Sequence, residues 1–190
     1  LTSQKYAGIP IDQVFPSLMK QLPLKCEELN VDQISKKTDF VLTAVPHKTA
    51  MEVVPLFHRQ GKRIVDLSAD FRFREAAVYE KWYHTPHGHP HLLQDAVYGL
   101  PELHRTAISK SKLVASPGCY PTAAVLQLAP LFAKRLARPE TIVIDAKSGV
   151  SGAGRSPALA YHFPEAHESL EPYKIGQHRH TPEIEQELSG

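Results

Sequence analysis

The stretch from Asp39 to Leu67 constrains the fold more than any other part of the sequence. Asp39-Phe40-Val41-Leu42-Thr43-Ala44-Val45 is a short apolar run rich in β-formers and closed by Pro46, the pattern of a buried strand. Lys48 to Arg59 then carries Ala50, Val53, Val54 and Phe57 at helical spacing, with Pro55 weakening its second half and Gly61 placed to end it. Arg63-Ile64-Val65-Asp66-Leu67 is a second buried strand. Strand, helix and strand in fewer than 30 residues make a βαβ unit with a parallel pair.

The same grammar recurs further on. Lys112 to Ala115 is a third strand, a helix from about Pro121 to Arg135 carries Val125, Leu128, Ala129 and Phe132 on one stripe, and Thr141 to Ala146 is a fourth strand. Asp70 to Lys110 is a long connecting segment with a helical stretch near Glu75–Tyr83. The first thirty residues hold Gly8, Pro10, Pro16 and Pro23 and read as irregular. The class is α/β, and the pattern leaves the strand order open. At 190 residues the chain makes one domain, or one and part of a second.

Composition removes several classes. The formal charge, 22 − 20 = +2, gives no field for nucleic acid or anionic membrane. A 42% apolar content is that of a globular protein, and no apolar run approaches the roughly 18 residues of a membrane span. The N-terminus has neither a signal pattern nor an initiator Met, so the chain reads as cut from a longer one. Two cysteines, Cys26 and Cys119, are too few for a disulfide framework and fit a reducing, cytoplasmic setting.

Cys119 lies in Ala115-Ser116-Pro117-Gly118-Cys119-Tyr120-Pro121-Thr122. A strand ends there, a Pro-Gly turn follows, and Pro121 suits the start of a helix. The helix N-terminus favours a thiolate, the nucleophilic form, and Gly118 leaves room beside the sulfur. The alternative is a small buried apolar Cys, the reading given to Cys26. A nucleophilic Cys needs an acid/base partner. His178, in Gly176-Gln177-His178-Arg179-His180-Thr181-Pro182-Glu183, is the candidate. In an extended segment His178 and His180 point the same way, either into a site or into solvent.

Two further stretches offer anion contacts. Lys147-Ser148-Gly149-Val150-Ser151-Gly152-Ala153-Gly154-Arg155 allows close backbone approach and supplies hydroxyls, without matching a Walker or dinucleotide fingerprint; a flexible loop is the other reading. Arg72 follows the second strand, where ligands gather, and either clamps an anion or makes a salt bridge. His84, His87, His89 and His91 fall in a Pro- and Gly-broken loop, and no metal site is expected there or at Cys119.

Taken together, Val114–Ala124, Ser148–Arg155 and His178–Ile184, with weaker support from Asp66–Arg72 and Val97-Tyr98-Gly99-Leu100-Pro101-Glu102-Leu103, resemble the N-acetyl-gamma-glutamyl-phosphate reductases of arginine biosynthesis. Aspartate-semialdehyde dehydrogenase is the nearest related family. The resemblance implies an incomplete Rossmann-like parallel-sheet domain over residues 1–118, followed at 119–190 by the start of an α+β catalytic and dimerisation domain. It implies NADPH-dependent reduction of N-acetyl-glutamyl phosphate to the semialdehyde and phosphate. Cys119 is then the nucleophile that forms a thioester and His178 the acid/base residue. Arg72, His180 and Glu183 are substrate-side groups, and Ser148, Gly149, Ser151 and Gly152 touch NADP. A homo-oligomer, dimer or tetramer, follows from the same resemblance. The family's glycine-rich pyrophosphate loop is not among these residues, so the segment alone is expected to bind NADPH poorly and turn over little or not at all. The remaining alternatives are an aspartate-semialdehyde-type enzyme and a non-catalytic binding or assembly module of the same fold.

Overall fold

The computed structural model describes residues 1–189; Gly190, the last residue of the expected second domain, lies outside them. In chain order the helices and strands are α1 (Ile11–Val14), α2 (Val31–Lys37), β1 (Phe40–Thr43), α3 (Thr49–Arg59), β2 (Arg63–Asp66), α4 (Ala76–Tyr83), β3 (Ala96–Tyr98), α5 (Pro101–Lys110), β4 (Leu113–Ala115), α6 (Cys119–Ala133), α7 (Phe163–Ala166) and α8 (Thr181–Leu188). The strands form one sheet in the order β1-β2-β4-β3, with every pairing parallel. Val41 sits opposite Ile64, Val65 opposite Val114, and Tyr98 opposite Ala115.

The expected βαβ unit is present. Pro55 does not break α3, because Ala50, Met51, Val53, Val54, Pro55 and Phe57 are all buried and that burial outweighs one missing hydrogen bond. Gly61, at φ 71°, ends the helix. Its N–H bonds the His58 carbonyl (2.9 Å) and Lys62 N–H bonds that of Phe57 (3.2 Å), which is the Schellman pattern. The N-terminus of α3 is capped from a distance: buried Asp70 Oδ2 accepts the N–H of Lys48 (2.8 Å) and of Met51 (3.2 Å). The core packs Val54, Phe57, Ile64, Leu113, Phe71, Phe73 and Tyr79 between the sheet and its helices.

Two elements lie inside the segment that reads as one long connection. β3 has three residues, too few for an alternation to show. α5 buries none of its residues and kinks at His104, so it carries no apolar stripe.

The expected fourth strand, Thr141 to Ala146, is not a strand. Val143 is 90% exposed. A strand persists only with a neighbour to take its backbone hydrogen bonds, and no segment among the described residues pairs with this one. From Lys134 to Gln177 the chain is almost wholly exposed, and its regular structure is limited to the single turn of α7 and short 3-10 segments.

Candidate active site

The carboxyl end of β4 leads straight into the cysteine turn. Ser116 N–H bonds the Asp66 carbonyl (2.7 Å), continuing the β2 pairing one residue past the strand. Gly118 is the N-cap of α6 and Cys119 its first residue. The Thr122 N–H (3.0 Å) and hydroxyl (2.8 Å) both bond the Gly118 carbonyl and fasten the first turn. The thiol is exposed, whereas Cys26 is buried. The N–H groups of Cys119 and Tyr120 stand in the first helical turn, where no intrahelical acceptor exists.

The fold brings His178 and His180 to this turn. Their segment is not extended as expected. Thr181 N–H closes a turn onto the His178 carbonyl (2.9 Å), and His180 has helical dihedrals as the N-cap of α8. The two rings are nevertheless neighbours, with centroids 4.8 Å apart. Tyr120, next to the cysteine, meets His178 edge-on at 5.1 Å and His180 at 5.9 Å. His180 N–H donates to His178 Nδ1 (3.1 Å). The neutral His178 ring therefore carries its proton on Nε2, which lies 3.3 Å from the Tyr173 hydroxyl; that hydroxyl donates to Tyr120 Oη (3.0 Å).

Gly118 does not leave open room beside the sulfur. A Cβ at this position would stand 2.5 Å from His180 Nε2, so the imidazole itself fills the space a side chain would take. Burial, with the charges of His178, Arg72 and Arg179 behind it, pushes the His180 pKa down to about 3. Burial, then Lys174 and Arg179, lowers that of His178. Both rings are neutral near pH 7. His180 Nδ1 is buried with no hydrogen-bond partner among the described residues.

Arg72 and Glu183 lie beneath the turn rather than at its mouth. Arg72, 7% exposed, donates from Nε to the Ser116 carbonyl (2.7 Å), from Nη2 to that of Leu67 (2.9 Å) and from Nη1 to Glu183 Oε2 (3.4 Å). Glu183 is fully buried and its Oε1 accepts the Gly118 N–H and the Tyr98 hydroxyl, each at 2.8 Å.

The Ser148–Arg155 loop is not brought to the cysteine. Ser148 bonds the adjacent Gly149 carbonyl (3.0 Å). Arg155 turns to the N-terminal segment, bonding the Val14 carbonyl (3.3 Å) and lying 4.6 Å from the Phe15 ring centroid. The histidine cluster is structural at its centre: buried His87 bonds the Asp70 carbonyl through Nε2 (2.6 Å). Among the described residues no group of three or more His, Cys, Asp or Glu is placed to hold a metal ion, and no helix is long and apolar enough to cross a membrane.

Two family models cover almost the whole chain. The NAD-binding domain of semialdehyde dehydrogenase matches residues 1–111, and the semialdehyde dehydrogenase dimerisation domain matches residues 119–190. The chain belongs to the semialdehyde dehydrogenase family. Curated relatives named N-acetyl-gamma-glutamyl-phosphate reductase include one from Syntrophobacter fumaroxidans, 52% identical over all of this chain and 55% of that protein. Another, from Desulforudis audaxviator, is 53% identical over 99% of the chain and 54% of its own length; one from Acetivibrio thermocellus is 49% identical over 55% of its length. The chain spans about half the length of the curated relatives it matches. In this semialdehyde dehydrogenase chain the two matches leave only residues 112–118 between them, which are β4 and the turn before Cys119.

Sequence reasoning did not single out Tyr98, Tyr120, Tyr173, Arg179 or His47. Tyr120 had a usable signal, since a residue next to a helix-start cysteine shares its surroundings. His47 accepts the Ala69 N–H at Nδ1 (3.1 Å) and sits edge-on to Tyr83, while Arg179 lies over the same tyrosine. Only the fold brings these together.

Proposed function

We propose that this chain is the nucleophile-bearing portion of an NADP-dependent N-acetyl-gamma-glutamyl-phosphate reductase, a cytoplasmic homo-oligomer of arginine biosynthesis. The division falls at the cysteine turn, with 1–118 as the sheet domain and 119–190 as the start of the catalytic domain. The observation that carries the reading is an exposed thiol on the first residue of α6, with two neutral imidazoles held beside it through Tyr120.

Cys119 attacks the acyl-phosphate carbonyl, phosphate leaves, and the acyl group is held as a thioester. The free N–H groups of the first helical turn face the carbonyl oxygen as charge builds on it. A nicotinamide cofactor, when bound, supplies the hydride. His178 serves as the acid/base residue at Nε2, the nitrogen that its contact with His180 leaves protonated and that meets the Tyr173 hydroxyl, and in that tautomer it is poised to donate. Tyr173, its pKa raised to about 12 by burial, by its bond to Tyr120 and by the neighbouring Cys119, keeps its proton and anchors that ring. His180 packs the floor of the site. Arg72 and Glu183 serve the substrate by holding the turn.

The donor set suits a dinucleotide. The carboxyl edge of a parallel sheet ends at the reactive turn, and Ser148, Gly149, Ser151 and Gly152 form an exposed loop that would hold its phosphates once brought to that edge. The deciding assay is NADPH oxidation by the full-length protein with N-acetyl-glutamyl phosphate. Turnover that disappears in Cys119→Ser supports the reading. Turnover with aspartyl phosphate alone, or undiminished activity of Cys119→Ser, overturns it.

A further inference from the structure

The N-cap of α6 has no side chain of its own to hold it. In a capping box the N-cap N–H is taken by a Glu or Gln at the third helical position, but here that position is Pro121. The carboxylate comes instead from Glu183, 65 positions away in the chain, which accepts the Gly118 N–H at 2.8 Å. Arg72, paired with the other oxygen of the same carboxylate, holds the Ser116 carbonyl (2.7 Å). The turn before the cysteine is thus gripped at both ends by one buried pair.

Glu183 in turn is located by Tyr98, whose hydroxyl donates to the oxygen that holds Gly118 (2.8 Å). Tyr98 is the last residue of β3, opposite Ala115 at the end of β4. The strands are pressed together at this point: a Cβ on Gly99 would stand 2.9 Å from both the Ala115 carbonyl oxygen and Val114 Cγ1, and Gly99 N–H bonds that oxygen at 2.8 Å. Tyr98 therefore measures from the sheet itself. Glu183 lies one helical turn after His180, whose ring rests on Gly118.

We infer that Tyr98 is a positioning residue for the nucleophile: through Glu183 it fixes the Gly118–Cys119 turn and the His178–His180 pair as one body referenced to the end of β3. The inference rests on the reductase reading for its kinetic consequence, but the strut itself does not depend on that reading. Burial and the Glu183 charge raise the phenol's pKa, so it remains a donor throughout the working range. Loss of the hydroxyl leaves a buried carboxylate with one partner fewer and frees the turn to shift, and a displacement of this kind slows chemistry more than it weakens binding.

The test is Tyr98→Phe, Glu183→Gln and the double variant in the full-length protein. Tyr98→Phe keeps its ring packed on Leu100 and Val125 and is expected to fold. Its kcat should fall about tenfold while KM stays within about twofold, and the double variant should lose less than the product of the two single losses. Exchange of the Gly118 amide, followed by hydrogen–deuterium exchange, should be slow in the wild type and about tenfold faster in Tyr98→Phe. Wild-type kcat in Tyr98→Phe overturns the inference, as does a loss confined to KM or one that vanishes at lower temperature along with a stability deficit. Should the wild type lack reductase activity, the reductase reading fails and the amide decides alone: an unprotected Gly118 in the wild type, or unchanged protection in Tyr98→Phe, overturns the strut.

Discussion

The His180 imidazole lies against the Gly118 backbone so closely that a methyl group on Gly118 would stand 2.5 Å from Nε2 and 2.8 Å from Cε1. The glycine is needed for this contact and not for its dihedrals, since its φ of −67° is open to any residue. Gly118→Ala is expected to displace the ring, to cost about 1–3 kcal/mol as an overpacked site does, and to cut kcat on the order of a hundredfold. Thermal melts and steady-state kinetics check both. A variant with normal turnover would show that the imidazole can move without consequence.

The low pKa of His180 gives a signed pH effect. Its value falls from an ordinary 6.5 to about 3 on folding, chiefly through burial. Between those values the unfolded chain binds a proton at this residue that the folded chain does not, so stability falls as pH drops through 6.5 and continues to fall toward 3. His178 is lowered in the same direction. His180→Gln, which cannot take up that proton, should lose less stability between pH 7.5 and 5 than the wild type. Denaturant melts at the two pH values read the difference; parallel losses would place the titration elsewhere.

The βαβ unit was legible because its signals are local and agree. An apolar run closed by Pro46, a helical stripe ended at Gly61 and a second apolar run admit few other arrangements. The cysteine turn was legible for the same reason, since a strand, Pro117-Gly118 and Pro121 place Cys119 within two residues of a helix start. Thr141 to Ala146 shows the limit. Its residues carry a strand's propensity, but propensity becomes a strand only beside a partner. Arg72 and Glu183 show another limit. The residue type and place of Arg72 suggested an anion contact, and the family resemblance a substrate-side role for Glu183, whereas the fold points both at backbone groups of the turn, a choice made by chain segments 111 positions apart.

The burial of Arg72 separates two roles by experiment. Its guanidinium holds two carbonyls and the Glu183 carboxylate at once, and a lysine ammonium lacks the planar fork for that. Arg72→Ala should cost about 3–5 kcal/mol, because it leaves a buried carboxylate without its cation, and Arg72→Lys should recover only part of the loss. A group serving only as a substrate clamp would instead raise KM and leave the denaturation midpoint unchanged. Urea titrations with parallel kinetics distinguish the two.

The two cysteines should differ sharply in labelling. Cys119 is exposed at the start of α6, while Cys26 is 3% exposed in a small cluster with Ile11 and Val14. Brief treatment of the native protein with iodoacetamide is expected to modify Cys119 and spare Cys26, and denaturant should equalise them. Peptide mass spectrometry reads the ratio directly. Equal native labelling would mean that the N-terminal cluster opens readily, and preferential labelling of Cys26 would contradict the placement of Cys119.

Lys48 carries backbone strain that the sequence can shed. It sits at φ 74°, ψ −41° immediately before α3, a region costly for any residue with a Cβ. The conformation persists because Asp70 takes the Lys48 N–H (2.8 Å) and His47 Nδ1 takes the Ala69 N–H (3.1 Å), locking the turn between β1 and α3. Glycine relieves the strain and keeps the N–H, although it costs about 0.5–1 kcal/mol in unfolded-state entropy. The net effect of Lys48→Gly is a gain of about 1 kcal/mol, which raises the melting temperature by about 2–4 °C. Lys48→Val keeps the strain and adds a branched side chain, so it should melt below the wild type. Scanning calorimetry of the three proteins orders them, and an order with valine above glycine would show that the strain lies elsewhere.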